Sequence, residues 1–508
     1  MRVLLINPPV TISEKDYYED IGFLPPLGLA YLAGSASQRG DTVEVIDALG
    51  LCPMPAKIDG ESVRCGMPAD EIVRRIRKFE PEVVGITCPY TANASDAQEI
   101  ARLVKEEYSP KTPVVMGGAH ASTNPVSVLS HGSVDYIAVG EGEGVLTDLC
   151  AALEKSETLV GIPGLVSLGG DGELLGERVR PRIRDLDSLP FPRRDLLPMS
   201  EYFKFQHLHK ERINNMRIPK TTLTTSRGCP ENCVFCASRC TWGRTWVGRS
   251  AQSVVDEIEQ LVRDYGVREV DFLDDSMSIS RSRLQAMCEL MIERKLDVKW
   301  TTPNGIAIWS LDEEILKLMK RAGCYRLTFG IESGNPETLA FIRKRYTYEH
   351  ARKIITYANK IGLWTVGTLI IGFPYETREQ MEDTINFAID SNLDMAVFYC
   401  AAPFPGTDLY DICVREGIDV PDYTSLMIGG VRSLNLDAGQ IESVREEANA
   451  RFIKNLSRRP WKLLGKVRDL EDLRFVIRVG TYGLKLLRTP SGEKSTTAFL
   501  YADKKKRK

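Results

Sequence analysis

The chain has 508 residues, 43% hydrophobic and 27% charged, with a formal net charge of −3. That length exceeds one ordinary domain, and the composition excludes a disordered or collagen-like chain. A charge so close to zero gives no global field for nucleic acid, and no apolar run reaches the roughly 18–20 residues of a membrane span.

Met1–Ile6 is a short apolar run stopped by Asn7-Pro8-Pro9. It lacks the longer apolar core and small-residue cleavage site of a secretory signal, so it reads as a buried first strand of a cytoplasmic protein. In a reducing compartment the twelve cysteines are expected to be thiols or metal ligands, not a disulfide framework.

Through residue 150, apolar runs at Val3–Ile6, Thr42–Ile46, Val83–Thr87, Val114–Met116 and Tyr136–Val139 alternate with helix-like stretches such as Leu27–Ser37 and Ala94–Glu107. Short, continuously apolar strands separated by helices predict a parallel sheet covered on both faces. Residues 1–150 are therefore expected to be a flavodoxin-like (Rossmann-type) α/β domain, binding its ligand beyond the carboxyl ends of the strands. Within it, Leu51–Glu71 reads as an inserted loop whose Cys52 and Cys65 are free thiols. Residues 151–215 read as a linker with a hairpin turn at Gly169–Gly172.

From Thr221 the alternation resumes, with predicted strands at Thr221–Thr225, Glu269–Leu273, Lys299–Thr302, Arg326–Ile331, Thr365–Gly372 and Met395–Ala401. Six βα units predict a partial (β/α)6 TIM-like barrel over residues 216–425, with active residues at the strand C-termini. Residues 426–508 are expected to form a helical cap with a basic tail, Lys504–Lys508. That tail and the amphipathic stretch before it admit peripheral contact with an anionic membrane, but a solvated tail is the simpler reading.

Nine cysteines are scattered, but Cys229, Cys233 and Cys236 share one loop directly after a predicted strand, in Thr225-Ser-Arg-Gly-Cys-Pro-Glu-Asn-Cys-Val-Phe-Cys236. Three thiolates on one short loop suit three irons of a cubane cluster, leaving the fourth iron open. A structural zinc site would ask for a fourth ligand, usually from a second cysteine pair, and none is present.

This C-x3-C-x2-C loop at the end of a first barrel strand resembles the signature of the radical S-adenosylmethionine (SAM) superfamily. The resemblance implies a 4Fe-4S cluster on Cys229, Cys233 and Cys236 that chelates SAM and cleaves it to a 5′-deoxyadenosyl radical. It also implies SAM contacts at Phe235, at Asp274 or Asp275, at Glu332 and Ser333, and at Ile370 and Gly372. Arg249 is expected either to neutralise a bound anion or to be an ordinary surface residue.

A flavodoxin-like domain ahead of such a barrel resembles the cobalamin-dependent radical SAM class. Pro9, Gly28, Thr87, Gly117, Gly118, Ala119, Gly140 and Glu141 are the cobalamin contacts it implies. The Asp-x-His-x-x-Gly element that ligates cobalt in many cobalamin domains is absent, so His120 is expected to pack in its loop and the cobalt to lack a histidine ligand. The function implied is methylation of an unactivated carbon or phosphorus centre in a small or lipid-like molecule, with electrons from a flavodoxin or ferredoxin. An oxidative cyclase or rearrangement enzyme of the anaerobic porphyrin-ring type is the alternative, and a non-catalytic cobalamin or iron–sulfur sensor is the alternative of another kind.

Overall fold

A computed structural model describes residues 1–13, 23–52, 54–58, 62–208, 215–421 and 430–487. The tail Lys504–Lys508 lies outside them.

The first sheet contains β1 (Arg2–Asn7), β2 (Thr42–Asp47), β3 (Val83–Thr87), β4 (Val114–Gly117) and β5 (Tyr136–Ala138). These five pair in parallel in the order β2-β1-β3-β4-β5, which is the flavodoxin-like order with a switch point between β1 and β3. Val3, Leu4, Leu5 and Ile6 are all fully buried, because both faces of the sheet carry helices and alternate side chains go to opposite cores. Leu4 and Ile6 pack on one side, Val3 and Leu5 on the other.

The sheet does not end at residue 150. The hairpin foreseen at Gly169–Gly172 joins β6 (Leu165–Leu168) to β7 (Leu174–Gly176), and both extend the first sheet antiparallel beyond β5. The segment Leu51–Glu71 also holds more order than an inserted loop. Its Pro55–Lys57 and Ser62–Cys65 form a three-stranded antiparallel sheet with Val10–Ser13, built over Phe23, Tyr202 and Phe205. Its polar, short strands carried no readable alternation.

The second sheet runs β8 (Lys220–Leu223), β9 (Glu269–Phe272), β10 (Lys299–Ile306), β11 (Cys324–Glu332), β12 (Trp364–Ile371) and β13 (Met395–Cys400), all parallel and in chain order. Six strands in sequence with outer helices make an open, partial barrel. Leu223, Phe272, Trp300, Leu327, Leu369 and Phe398 point outward into one core beneath those helices. Alternation therefore turns Thr222, Asp271, Thr301 and Arg326, which stand level in the registers, towards the lumen.

The helical C-terminal region covers two different parts of this barrel. Helix Ala438–Ser457 lies along β13, the edge strand, and its Ile441, Val444 and Ala448 are buried in the barrel's core. Helix Leu470–Leu487 packs Phe475 against Tyr325 and Trp364, near the N-terminal starts of β11 and β12. It closes the floor, not the end where the active residues were expected.

Candidate functional site

The C-terminal ends of the two sheets face one cavity of about 380 Å³. Gly28, Thr87, Gly117, Gly118, Gly140 and Glu141 line it from the first sheet, and Thr224, Ser226, Arg227, Trp242, Leu273 and Asp275 line it from the barrel. Six of the eight residues singled out for cobalamin thus meet on one wall. The other two do not. Pro9 is packed beneath Gly66, where a Cβ would stand 2.3 Å from the Pro9 Cβ, and Ala119 opens the short helix Ala119–Thr123 behind the cavity.

The glycines keep this wall low for two reasons. Gly118 has φ +110°, and a Cβ there would lie 2.6 Å from the Cys88 carbonyl oxygen, so the turn itself needs glycine. A Cβ on Gly28 would meet nothing within 4 Å. No protein packing demands glycine there, and what its absent side chain preserves is open space. A largely apolar hollow with backbone exposed at strand ends is what a broad, flat macrocycle requires. The lining includes no histidine. His120, in the short helix Ala119–Thr123, is buried with Nδ1 3.0 Å from the Thr91 hydroxyl, and burial lowers its pKa.

The three-cysteine loop starts at the foot of the same cavity. Gly228 has φ +83°, and a Cβ there would sit 2.2 Å from the Thr245 carbonyl oxygen, so the chain turns into Cys229 only because position 228 is glycine. Val234 then anchors the loop, donating to the Ile342 carbonyl and accepting from Leu409 N at 2.9 Å. Burial raises the pKa of all three thiols, that of Cys236 to about 12. Isolated thiolates would be unfavourable here, so these residues need a cation to hold them ionised. No three His, Cys, Asp or Glu side chains among the described residues converge on a single-ion point. A cubane needs no such convergence, since each thiolate takes a separate iron at its own corner. The donor set fits the cluster.

Asp274 and Asp275, equivalent in the sequence, have different tasks. Asp274 is buried and accepts from Thr225 N at 3.0 Å, the Thr225 hydroxyl at 2.6 Å and the Ser226 hydroxyl. Its carboxylate is saturated, and it pins the chain entering the cysteine loop. Asp275 opens into the cavity, while the protein around it raises its pKa. Its charge also acts on Cys229 and Cys236.

Beyond β11 the two predicted SAM residues diverge similarly. Glu332, with φ +62°, pairs with Lys344 at 3.0 Å. Burial opposes the charge of Lys344, but Glu332, Cys233 and Cys236 outweigh it and raise its pKa. Ser333 is fully buried, 3.1 Å from the Thr384 hydroxyl and accepting from Asn335 N, so it braces the turn. Gly372 has φ +84° and donates its N–H to Glu376 at 2.7 Å. Phe235 packs on Phe373 at 6.0 Å between ring centroids, and Ile370 lies against the same small core.

Several residues escaped the sequence reading. Lys344 sat in an unremarked basic run. Arg227 and Trp242, which flank the cysteines, gave no periodic signal. Arg249 is neither a surface residue nor free for an anion: it is buried, ion-paired with Glu257 and 3.3 Å from the Tyr31 hydroxyl.

Comparison with known proteins agrees with this geometry. Residues 21–150 match the B12 binding domain family and residues 223–388 the Radical SAM superfamily. An uncharacterized methyltransferase of Pyrococcus horikoshii is 35% identical over 419 residues, covering 82% of this chain and 84% of that protein. The cytidylyl-2-hydroxyethylphosphonate methyltransferase of Streptomyces wedmorensis is 29% identical over 455 residues, covering 83% of both. The anaerobic magnesium-protoporphyrin IX monomethyl ester cyclase of Cereibacter sphaeroides is 30% identical over 431 residues, which cover 84% of this chain but 65% of the cyclase. In fold, the chain is similar to the radical SAM methyltransferase TsrM of Kitasatospora setae (TM-score 0.66, 20% identity, covering 82% of this chain and 76% of that one). It is also similar to the cobalamin-dependent radical SAM enzyme OxsB (TM-score 0.69, 17% identity, 96% and 72% covered). The matched domains, their order and the relatives together establish that this chain belongs to the cobalamin-dependent radical SAM enzymes, whose cofactors are a 4Fe-4S cluster, SAM and cobalamin.

Proposed function

We propose that this chain is a methyltransferase acting on an unactivated carbon or phosphorus centre of a small or lipid-like molecule. One observation carries the reading: the glycine-lined strand ends of the first sheet and the foot of the cysteine loop are walls of a single cavity, so a methyl carrier and a radical source would face one substrate. Several relatives named as methyltransferases support it. When bound, the cluster and SAM supply a 5′-deoxyadenosyl radical that removes hydrogen from the substrate, and cobalamin supplies the methyl group.

In this reading residues 1–150 form the cobalamin module and 216–425 the radical module, while the helices within 430–487 cover the barrel's edge and floor. Cys229, Cys233 and Cys236 hold the cluster. Asp275 takes the amino group of SAM, because it is the one of the two neighbouring carboxylates that lines the cavity. Glu332 and Lys344 orient the polar end of SAM, and Ile370 and Phe235 shape its apolar side. Gly28, Gly117, Gly118 and Gly140 admit the corrin, with Thr87 a polar contact. Glu141 shapes that wall but is spent on other protein groups. Electrons come from a flavodoxin- or ferredoxin-type donor.

The test uses protein reconstituted without oxygen with iron, sulfide and cobalamin. After addition of reductant and SAM, 5′-deoxyadenosine and S-adenosylhomocysteine are quantified. A corrin absorption spectrum with both products supports methyl transfer. Deoxyadenosine without S-adenosylhomocysteine in the presence of turnover substrate favours cyclisation instead, and failure to bind cobalamin overturns the reading.

A further inference from the structure

Arg227 stands two residues before the first cluster cysteine, on the wall of the cavity. Its guanidinium leaves the barrel and reaches the first sheet's ligand-binding end, at 2.9 Å from Glu141 Oε1 and 2.5 Å from Glu143 Oε1. All three side chains are buried, at 11%, 4% and 7% exposure. Glu141 is held from its other side by Arg182 at 3.0 Å and by the Ile183 N–H at 2.9 Å. Trp242, which follows the cysteine loop, lies beneath both guanidiniums, at 4.9 Å from Arg182 and 5.8 Å from Arg227, and Tyr31 of the first domain faces Arg227 at 5.4 Å.

Two carboxylates and two guanidiniums with aromatic faces make a charge-balanced, largely buried joint between the halves of the molecule. The joint is stiff on the barrel side. Arg227 pairs with Val247 across a short two-stranded ladder, and Gly228 is wedged against the Thr245 carbonyl. A displacement of the Arg227 guanidinium is therefore passed along two residues to Cys229. On the other side, Glu141 and Glu143 bracket Gly142 at the rim where Gly140 lines the cavity, so filling that cavity acts on the same joint.

We propose that Arg227 is a positioning residue that couples the cobalamin pocket to the cluster loop, so that occupation of either strengthens binding at the other. This rests on the cavity being the cobalamin site. Linkage requires the coupling to be reciprocal, and couplings of this kind span roughly 5–150-fold.

The test is the dissociation constant of hydroxocobalamin for cluster-free and cluster-loaded protein, followed anaerobically by quenching of tryptophan fluorescence, to which Trp242 on the cavity wall contributes. The wild-type chain should bind at least about fivefold more tightly when cluster-loaded. In Arg227→Gln, which keeps an unbranched polar side chain but removes the charged fork, the two constants should converge. Arg227→Lys, able to satisfy one carboxylate but not both, should restore part of the difference. Equal constants for the two wild-type forms overturn the coupling without recourse to any variant, and so does an unchanged ratio in a folded Arg227→Gln protein. Absence of cobalamin binding in both wild-type forms is a different result, which overturns the assignment of the pocket itself.

Discussion

Replacing Asp274 with alanine should unfold the entrance to the cluster loop, whereas replacing its neighbour Asp275 should leave the fold intact and weaken SAM binding. Three donors converge on Asp274: the Thr225 N–H, the Thr225 hydroxyl and the Ser226 hydroxyl. Thr225 is fully buried and Ser226 nearly so. Ser226 can turn to the Ser276 carbonyl, 3.5 Å away, but the two Thr225 donors then have no acceptor. Each orphaned buried donor costs about 1–3 kcal/mol, so Asp274→Ala should lose roughly 2–6 kcal/mol. Asp274→Asn, which keeps an acceptor oxygen, should lose only about 1–2 kcal/mol. Asp275 opens into the cavity and burial raises its pKa, so Asp275→Asn, which keeps an acceptor oxygen, should stay within about 1 kcal/mol of wild type. Losing a hydrogen bond to a charged group should weaken SAM binding about ten- to a hundredfold. Urea unfolding under nitrogen and calorimetric SAM titration of the reconstituted protein measure the two quantities separately. An Asp274→Ala protein that unfolds within about 0.5 kcal/mol of wild type, or an Asp275→Asn protein that loses as much stability as Asp274→Ala, would show that Asp274 does not pin the loop.

Gly118→Ala adds a methyl 2.6 Å from the Cys88 carbonyl at φ +110° and ψ 173°; it should cost more than the roughly 1–3 kcal/mol of this glycine-only backbone region alone and depress cobalamin binding while iron content is retained, as cobalamin titration and iron analysis of one preparation would show. Burial raises the pKa of Glu376 to about 7, so its contribution to stability is full below about pH 4.5 and lost as pH rises through 7. Glu376→Gln should remove on the order of 3 kcal/mol of that decline, and parallel pH–stability curves for the two proteins would contradict this. Phe475 is fully buried, with ring centroids 4.9 Å from Trp364 and 6.3 Å from Tyr325; Phe475→Ala should cost about 3–5 kcal/mol and lower the thermal midpoint, with an unchanged midpoint excluding a structural floor at this helix.

Residue spacing and hydrophobic patterning specify the order of the elements and the thiol chemistry of the cluster loop. Buried parallel strands announce themselves as continuous apolar runs, and Val83–Thr87 was legible to the residue; three thiols spaced over eight residues of one loop are local and need no tertiary information. What remained illegible was long-range pairing. Asp274 and Asp275 look alike in sequence, and only the approach of Thr225 and Ser226, 48 to 49 residues away, commits Asp274 while Asp275 faces the cavity. Glu141 was assigned to a ligand from its glycine-rich setting, yet the fold brings Arg182 and Arg227, 41 and 86 residues away, to its oxygens. The three-stranded sheet around Ser62–Cys65 was illegible because its strands are too short for their alternation to stand out, and the Phe23, Tyr202 and Phe205 that pack with its buried Val10, Ile12, Val63 and Cys65 come from other segments. Local propensity and spacing are written along the chain, but the partner that satisfies a buried charge is chosen by the folded backbone, since only there do distant groups share a site from which water is excluded.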